Sequence, residues 1–284
     1  MNHMATLANG DVVPAIGQGT WYLGENPGRL SQEIEGIRAG VSAGQFLIDT
    51  AEMYGNGDAE KMVGQAIQGL DRNGLYLVSK VLPNHAGGQA LEAALDGSLK
   101  RLKTDYLDLY LYHWRGSYPL AETVRRLEEM KKKGKIRAWG VSNFDIDDME
   151  ELWDVPAGKN CQVNQVLYHT GSRGIEFSLL PWMREHNVAL MSYCPLAQAG
   201  TLKRGLFADP VLNEIAEAHG VPVTEILLAW NIRDGHTVAI PRSSKAAHTL
   251  SNGHADTVEL TEEDLKKIDR RYPAPKRKMP LDIQ

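Results

Sequence analysis

The apolar positions of the chain follow two alternating rhythms. Short, nearly continuous apolar runs occupy residues 15–19, 45–48, 75–79, 107–112, 136–141, 162–166, 188–193 and 237–240. Parallel strands buried on both faces read as runs of this kind. Between them lie stretches with an apolar residue every three or four positions, such as Leu91, Leu95, Leu99 and Leu102. That spacing marks one face of a helix. On the same grounds helices are predicted over 31–43, 59–67, 89–102, 120–133, 145–153, 176–186, 211–219 and 222–233, with a last one opened by Thr261. Local residues set the boundaries. Ser31 is a candidate N-cap, Asp58 opens the second helix, and Gly44, Gly69 and Gly134 stand where helices stop. Lys131, Lys132 and Lys133 suit the negative end of a helix dipole. The helix over 176–186 is expected to break or restart near Pro181. Residues 4–14 read as a β-hairpin around Asn9 and Gly10, a two-residue turn pair. Residues 194–208 read as a long loop, and 272–284, with three prolines, as a tail extended on the surface.

Strict strand-then-helix alternation favours a parallel sheet. Eight such units after the hairpin, in a chain of 284 residues, favour a (β/α)8 barrel over an open sheet. No break in composition marks a second domain, so residues 1–284 are expected to form one barrel domain. A hydrophobic fraction of 43% suits a globular protein with a sizeable core. The net charge of −5 argues against a nucleic-acid partner, which needs a basic face. The basic cluster near the end, Lys266 to Lys278, reads as a solvated helix face and tail. Cys161 and Cys194 lack metal-ligand spacing and suggest a reducing compartment. No metal site is expected. Residues 1–11 have no apolar core of a signal peptide, and no apolar run approaches the ~20 residues that span a bilayer. A cytoplasmic protein without a membrane partner is expected, and a monomer.

In a barrel of this type the active site sits where the strands end. Asp49, Tyr54, Lys80, His113, Asn143, Gln165 and Tyr193 all lie at or just after predicted strand ends. Each alone has an ordinary explanation: a loop-capping aspartate, an exposed lysine, a core histidine. Together they point to one rim, and that coincidence favours a functional site. The chemistry of four of them is coherent. A phenol is a weak acid at neutral pH, and a nearby ammonium favours its phenolate. Lys80 supplies the ammonium for Tyr54, Asp49 keeps it charged and aimed, and His113 donates a hydrogen bond to a substrate oxygen. Such a set suits protonation of a carbonyl oxygen while hydride reaches its carbon. No side chain delivers hydride, so a nicotinamide or flavin is implied. The usual dinucleotide fingerprint is missing, because Gly17-x-Gly19 and Gly55-x-Gly57 both lack the third glycine. Cofactor contacts are expected on the later strand ends instead.

The stretches 47–55 (LIDTAEMYG), 78–80 (VSK), 107–114 (LDLYLYHW), 140–143 (GVSN) and 240–244 (IPRSS) resemble, in order, the motifs of the aldo-keto reductase superfamily. The resemblance covers the chain from hairpin to tail, and it implies that the hairpin closes the barrel floor. It further implies that Asp49, Tyr54, Lys80 and His113 form the catalytic tetrad with Tyr54 as the acid. Ser142, Asn143 and Gln165 would hold the nicotinamide carboxamide, and Tyr193 would stack on the ring. Gly19, Thr20, Trp21, Asp49 and Ile240 would also line the cofactor site. Cys194 and Leu196 stand where the pyrophosphate-side loop begins. Arg242 and Ser243 would grip the 2′-phosphate of NADPH, with His248 and Asn252 near the adenine. Arginine is chemically apt there, because its fork fits a phosphate. Two departures concern the adenine end: His248 replaces an arginine common among relatives, and Ser251 replaces a glutamate. NADPH remains the expected cofactor. Trp21, Tyr22, Tyr54, His113 and Trp114 would form an aromatic substrate pocket. Short segments at 113–118 and after Tyr272 suggest that it is open and takes small aldehydes. The chain most resembles bacterial members that reduce methylglyoxal and related 2-oxoaldehydes. Alternatives are a diketogluconate-type or general ketone reductase, and a cofactor-binding regulatory subunit.

Overall fold

The structure is a computed structural model that describes residues 3–197 and 201–284. A hairpin of β1 (Met4–Thr6) and β2 (Val12–Pro14) comes first. Eight parallel strands follow: β3 (Gln18–Gly19), β4 (Leu47–Asp49), β5 (Tyr76–Val81), β6 (Leu107–Tyr112), β7 (Ile136–Ser142), β8 (Val163–Leu167), β9 (Ala189–Tyr193) and β10 (Thr237–Ala239). Each pairs with its neighbour in sequence. The sheet closes on itself, because Ile16 bridges Ala239 and Gly19 bridges Arg242, both in parallel. This is the (β/α)8 barrel that the strand-helix rhythm predicts.

Around the strands run α1 (Leu30–Ser42), α2 (Asp58–Ala66), α3 (Ala90–Leu102), α4 (Leu120–Lys132), α5 (Ile146–Asp154), α6 (Leu179–Glu185), α7 (Thr201–Phe207), α8 (Pro210–His219), α9 (Val223–Ile232), α10 (Ala246–His254) and α11 (Glu262–Arg271).

The period-two geometry of a strand sorts its residues between two layers. Leu47, Tyr76, Val78, Leu109, Leu111, Ala138, Val163, Ala189, Met191 and Val238 fill the inside of the barrel. Ala5, Leu7 and Val13 of the hairpin join that same cluster, so the hairpin plugs the floor. Their chain neighbours Ile48, Leu77, Tyr110, Tyr112, Trp139, Val141 and Leu190 face outward and pack with the helices. Two residues beyond an inward apolar residue, a strand points inward again. Asp49 follows Leu47, Lys80 follows Val78, His113 follows Leu111, Gln165 follows Val163 and Tyr193 follows Met191. The last inward layer at the C-terminal end is therefore polar, and the same parity that builds the core builds the site.

Several boundaries differ from the sequence expectation for physical reasons. Ser31 does not cap α1, which starts at Leu30 after a 3-10 turn over Pro27–Arg29; Asn26 caps that turn by accepting from Gly28 N. The hairpin link is longer than a two-residue turn, with Leu7 N donating to Asp11 O and Gly10 N to Leu7 O. A 3-10 turn at Gly174–Phe177 ends at Ser178, and α6 then starts at Leu179. Pro181 thus falls in a first helical turn, where its missing N–H costs nothing. The supposed loop over 194–208 contains α7, and α10 occupies a stretch given no element from sequence. Part of that loop, 198–200, lies outside the described residues. Asp58 is the first residue of α2 but does not cap it, since Gly57 is the N-cap and no side chain bonds there. Thr261 opens α11 as expected and forms a capping box with Asp264, and Asp145 forms one with Asp148 at the start of α5.

The close packing inside the barrel can be tested at Gly140, an inward position of β7. A Cβ there would lie 2.5 Å from the Val163 carbonyl oxygen and 3.0 Å from Leu111 Cδ2. Gly140→Ala is expected to cost about 1–3 kcal/mol of stability. The measure is a lower urea midpoint with an unchanged slope; an unchanged midpoint would contradict this packing.

Candidate active site

The polar layer surrounds a cleft at the C-terminal mouth of the barrel. Gly19, Thr20, Trp21, Tyr22, Asp49, Tyr54, His113, Trp114, Ser142, Asn143, Gln165, Tyr193, Cys194, Leu196, Ile240 and Arg242 all line it. At its centre Lys80 is fully buried and donates from Nζ to both Asp49 carboxylate oxygens (2.8 and 2.7 Å), to Thr50 O (2.9 Å) and to Tyr54 Oη (3.1 Å). Thr50 and Tyr54 reach it because the chain turns back after β4 into a 3-10 turn over Tyr54–Gly57. Gly55 and Asn56 hold left-handed backbone there, the conformation that glycine and asparagine tolerate best.

The direction of the Lys80–Tyr54 bond matters. An ammonium has three donors and no acceptor, so Tyr54 oxygen must accept. Its own proton is then free to point into the cleft. Burial pushes the Tyr54 pKa well above the ordinary phenol value of 10.0, and the Asp49 charge pushes it the same way. This corrects the sequence expectation that the ammonium leaves Tyr54 with a lowered pKa. In the resting site desolvation outweighs the lysine, and Tyr54 is held as a neutral phenol that carries its proton. Burial likewise pulls Lys80 down and Asp49 up, while their mutual attraction opposes both shifts. Contacts this short, with every lysine donor used, favour the ionised pair.

His113 lies edge-on to Tyr54, with ring centroids 6.0 Å apart. Burial first, and Lys80 second, push its pKa down to about 2. It is therefore a neutral imidazole with one N–H to donate, and its Nδ1 is buried without a partner among the described residues. Trp21 stacks on Tyr22 and, more loosely, on Tyr54, at 4.7 and 6.1 Å. His113 contacts Trp114 at 4.7 Å. Tyr22 and Trp114 are 57% and 37% exposed, so both rings have a face open to the cleft mouth.

The amide side of the cleft is cross-linked. Tyr193 Oη donates to Asn143 Oδ1 at 2.8 Å, and Asn143 Nδ2 donates to His113 O and Ser142 Oγ. Ser142 Oγ donates to Gln165 O, and Gln165 Nε2 donates to Asp49 Oδ1. Asn143 sits in the left-handed region (φ 55°), which turns its amide into the cleft. At the opposite end Arg242 is exposed and its side chain donates to Trp21 O. Lys203 lines the cleft beside it, and burial and the Arg242 charge both push its pKa down. Neither has a carboxylate partner among the described residues.

Three cofactor candidates lie elsewhere. Ser243 and Asn252 line a small adjoining pocket with Gln18, Ile37, Gln45 and Thr249. His248 is exposed on α10 and lines neither pocket. Ser251 Oγ is engaged by Glu225 Oε1 at 2.6 Å, and His254 holds the other oxygen of that carboxylate.

Sequence reasoning missed Met53, Lys203 and Gln284 on the cleft wall. The tail is mostly exposed as expected, yet it crosses the rim. Lys278 pairs with Asp145, Ser172 donates to Asp282, and Cys194 Sγ donates to Gln284 Oε1 at 3.4 Å. No helix among the described residues is long and apolar enough to cross a membrane.

The sequence model of the Aldo/keto reductase family matches residues 15–272, and this chain belongs to that family of oxidoreductases. It is 52% identical to methylglyoxal reductase YeaE of Escherichia coli (strain K12), over 97% of each chain. It is 37% identical to the glyoxal reductase of Bacillus subtilis (strain 168), over 93% of this chain and 90% of the other. Among solved structures it superposes on an aldo/keto reductase from Klebsiella pneumoniae, in complex with NADP and acetate, with a TM-score of 0.97, 49% identity and full coverage of both chains.

The pKa directions set the pH dependence of turnover. A His113 that stays neutral down to about pH 2 gives no inflection near its ordinary 6.5. Turnover is expected to stay level between about pH 5 and 8 and to fall only as pH rises far enough to strip the Tyr54 proton. A kcat profile against pH checks this. An acid limb near 6.5 that disappears in His113→Gln would contradict the neutral imidazole.

Proposed function

We propose that the protein reduces small aldehydes and 2-oxoaldehydes, methylglyoxal among them, with NADPH as the hydride source. The observation that carries the reading is the direction of the Lys80–Tyr54 hydrogen bond, which leaves the tyrosine proton as the one directed at a bound oxygen. The cleft suits a dinucleotide. Amides at Asn143 and Gln165 and the Tyr193 ring face one end, and two cations without carboxylate partners among the described residues, Lys203 and Arg242, face the other. The names of the relatives support the substrate class, and the NADP of the Klebsiella complex supports the cofactor.

When bound, the reduced nicotinamide supplies a hydride to the carbonyl carbon. The chain's own residues do the rest. His113 and Tyr54 hold the carbonyl oxygen, Tyr54 transfers its proton to that oxygen, and Lys80 stabilises the phenolate left behind. Asp49 keeps the ammonium in place. Trp21, Tyr22 and Trp114 cover the substrate and exclude water, which strengthens each polar contact inside. Arg242 and Ser243 serve the 2′-phosphate, and Asn252 the adenine. His248 has no demonstrated reach to the site and is the weakest member of the cofactor set. Free thiols at both cysteines agree with a cytoplasmic enzyme; a monomer of one barrel domain is expected, which light scattering checks.

The test is NADPH oxidation with methylglyoxal, nitrobenzaldehyde, glyceraldehyde and sugar ketones. Highest kcat/KM on sugar ketones would favour a diketogluconate-type reductase. Tight NADP+ binding without turnover on any carbonyl would favour a regulatory subunit.

Tyr54→Phe is expected to lower kcat by about 100-fold or more, the scale of general acid catalysis, with the NADP+ dissociation constant unchanged. Retention of a tenth of the rate would remove Tyr54 as the acid.

Arg242→Ala is expected to raise the KM for NADPH about 10- to 150-fold, the worth of a charged hydrogen bond, and to leave NADH almost unaffected. An unchanged NADPH/NADH ratio of kcat/KM would sink the phosphate assignment.

A further inference from the structure

Pairing between β4 and β5 runs out before it reaches Tyr54. The last matched pair is Asp49 with Val78, and the last backbone bond across the pair is from Thr50 N to Val78 O, at 2.9 Å. Beyond that point the segment carrying Tyr54 has left the sheet. Lys80 still lies ahead on β5, and the two must stay at hydrogen-bond distance. Besides Lys80 itself, a second side chain spans the gap. Glu52 Oε1 accepts from Leu82 N at 2.7 Å and from His85 Nδ1 at 3.0 Å. The Glu52 side chain is 9% exposed. Leu82 stands two residues after Lys80, and Glu52 two residues before Tyr54, so the contact ties the two catalytic segments just past the end of the ladder.

The clamp also touches the third segment. His85 ends a 3-10 turn over Pro83–His85. Pro83 packs so closely on Gly116 that a Cβ at Gly116 would lie 2.6 Å from Pro83 Cβ, and Gly116 N donates to Tyr112 Oη at 2.6 Å. Gly116 belongs to the short segment that begins with His113 and Trp114. The carboxylate therefore ties the segments bearing Tyr54 and Lys80, and the turn that it holds packs on the segment that begins with His113.

We propose that Glu52 is a positioning residue for proton transfer, a side-chain acceptor that continues the β4–β5 ladder and fixes the Tyr54–Lys80 distance. It touches no reacting atom and acts through Tyr54. The proposal rests on the reductase reading above. Loss of a brace of this kind lets a reacting group drift, and drift of about 1 Å costs on the order of 100-fold.

The experiment uses the full chain with Glu52→Ala, Glu52→Gln, and Glu52→Ala combined with Tyr54→Phe. Glu52→Ala is expected to lower kcat about 10- to 100-fold, with the NADP+ dissociation constant, read by tryptophan fluorescence, within about twofold of the wild type. Glu52→Gln keeps the acceptor oxygen and should recover kcat to within about threefold. In the Tyr54→Phe background Glu52→Ala should add nothing, because the group it positions has gone. Three outcomes would overturn the proposal: a kcat for Glu52→Ala within twofold of wild type, a Gln variant as damaged as the Ala variant, or an equal further loss in the Tyr54→Phe background. The last would mark a structural support that does not act through Tyr54. A wild-type protein that binds NADP+ but reduces no carbonyl would overturn the reductase reading itself.

Discussion

A charge in the middle of a protein is expensive, and Lys80 is one. Everything at the mouth of this barrel answers to it. Desolvation of an ammonium costs several kcal/mol unless its donors are all used and an anion lies beside it. Asp49 supplies the anion, Thr50 a carbonyl and Tyr54 a phenol oxygen. Asp49 and Tyr54 are therefore both held by the electrostatics of a single buried nitrogen. The phenol is left with its oxygen occupied and its proton spare. The same burial keeps the tyrosine protonated and the histidine neutral, which is the state a proton donor and a hydrogen-bond donor need before reaction.

The turn after β4 brings Thr50 and Tyr54 to that charge, and strand parity supplies the rest of the polar layer around it. Apolar inward residues at Leu47, Val78, Leu111, Val163 and Met191 are each followed, two positions on, by a polar one at the rim. A one-residue slip of any strand would send its rim group out among the helices and bring an outward residue into the core. Register and chemistry are thus specified together. The side of the cleft formed by Ser142, Asn143, Gln165 and Tyr193 adds rigidity, since each accepts from or donates to another and the chain of bonds ends on Asp49.

This explains what was legible in the sequence. An apolar run that stops abruptly at an ionisable residue is visible without a structure, so the strands, their order and the meeting of Asp49, Lys80 and His113 at one rim could be read directly. Residues whose role depends on folding back are not visible in that way. Glu52 looks like any loop carboxylate until Leu82 and His85 are brought under it. Lys203 lies on α7, inside a stretch rich in glycine and alanine that reads as loop. Helix α10 has no side-chain cap and carries Asn252 and Gly253 in its last turn, so its pattern is weak. The Tyr54 pKa was misjudged for a related reason: a lysine neighbour can be inferred from spacing, whereas complete burial cannot. Ser251 marks the same limit, because its partner Glu225 comes from a different helix.

The seam between β3 and β10 gives the barrel a weak line. β3 has two residues and β10 three, and the circle is completed by isolated bridges at Ile16 and Gly19 and by Gly17 N and Gly19 N reaching Ala239 O and Pro241 O. With so few bonds to break, the amides of Gly17, Gly19 and Ala239 are the ones through which the wall would open ahead of global unfolding, and hydrogen exchange would find them first. The seam runs directly beneath Trp21 and Arg242. A ligand held by both residues would act as a hasp across it, so occupancy at that end of the cleft would be felt as slower exchange at Gly17 and Ala239, which do not line the cleft.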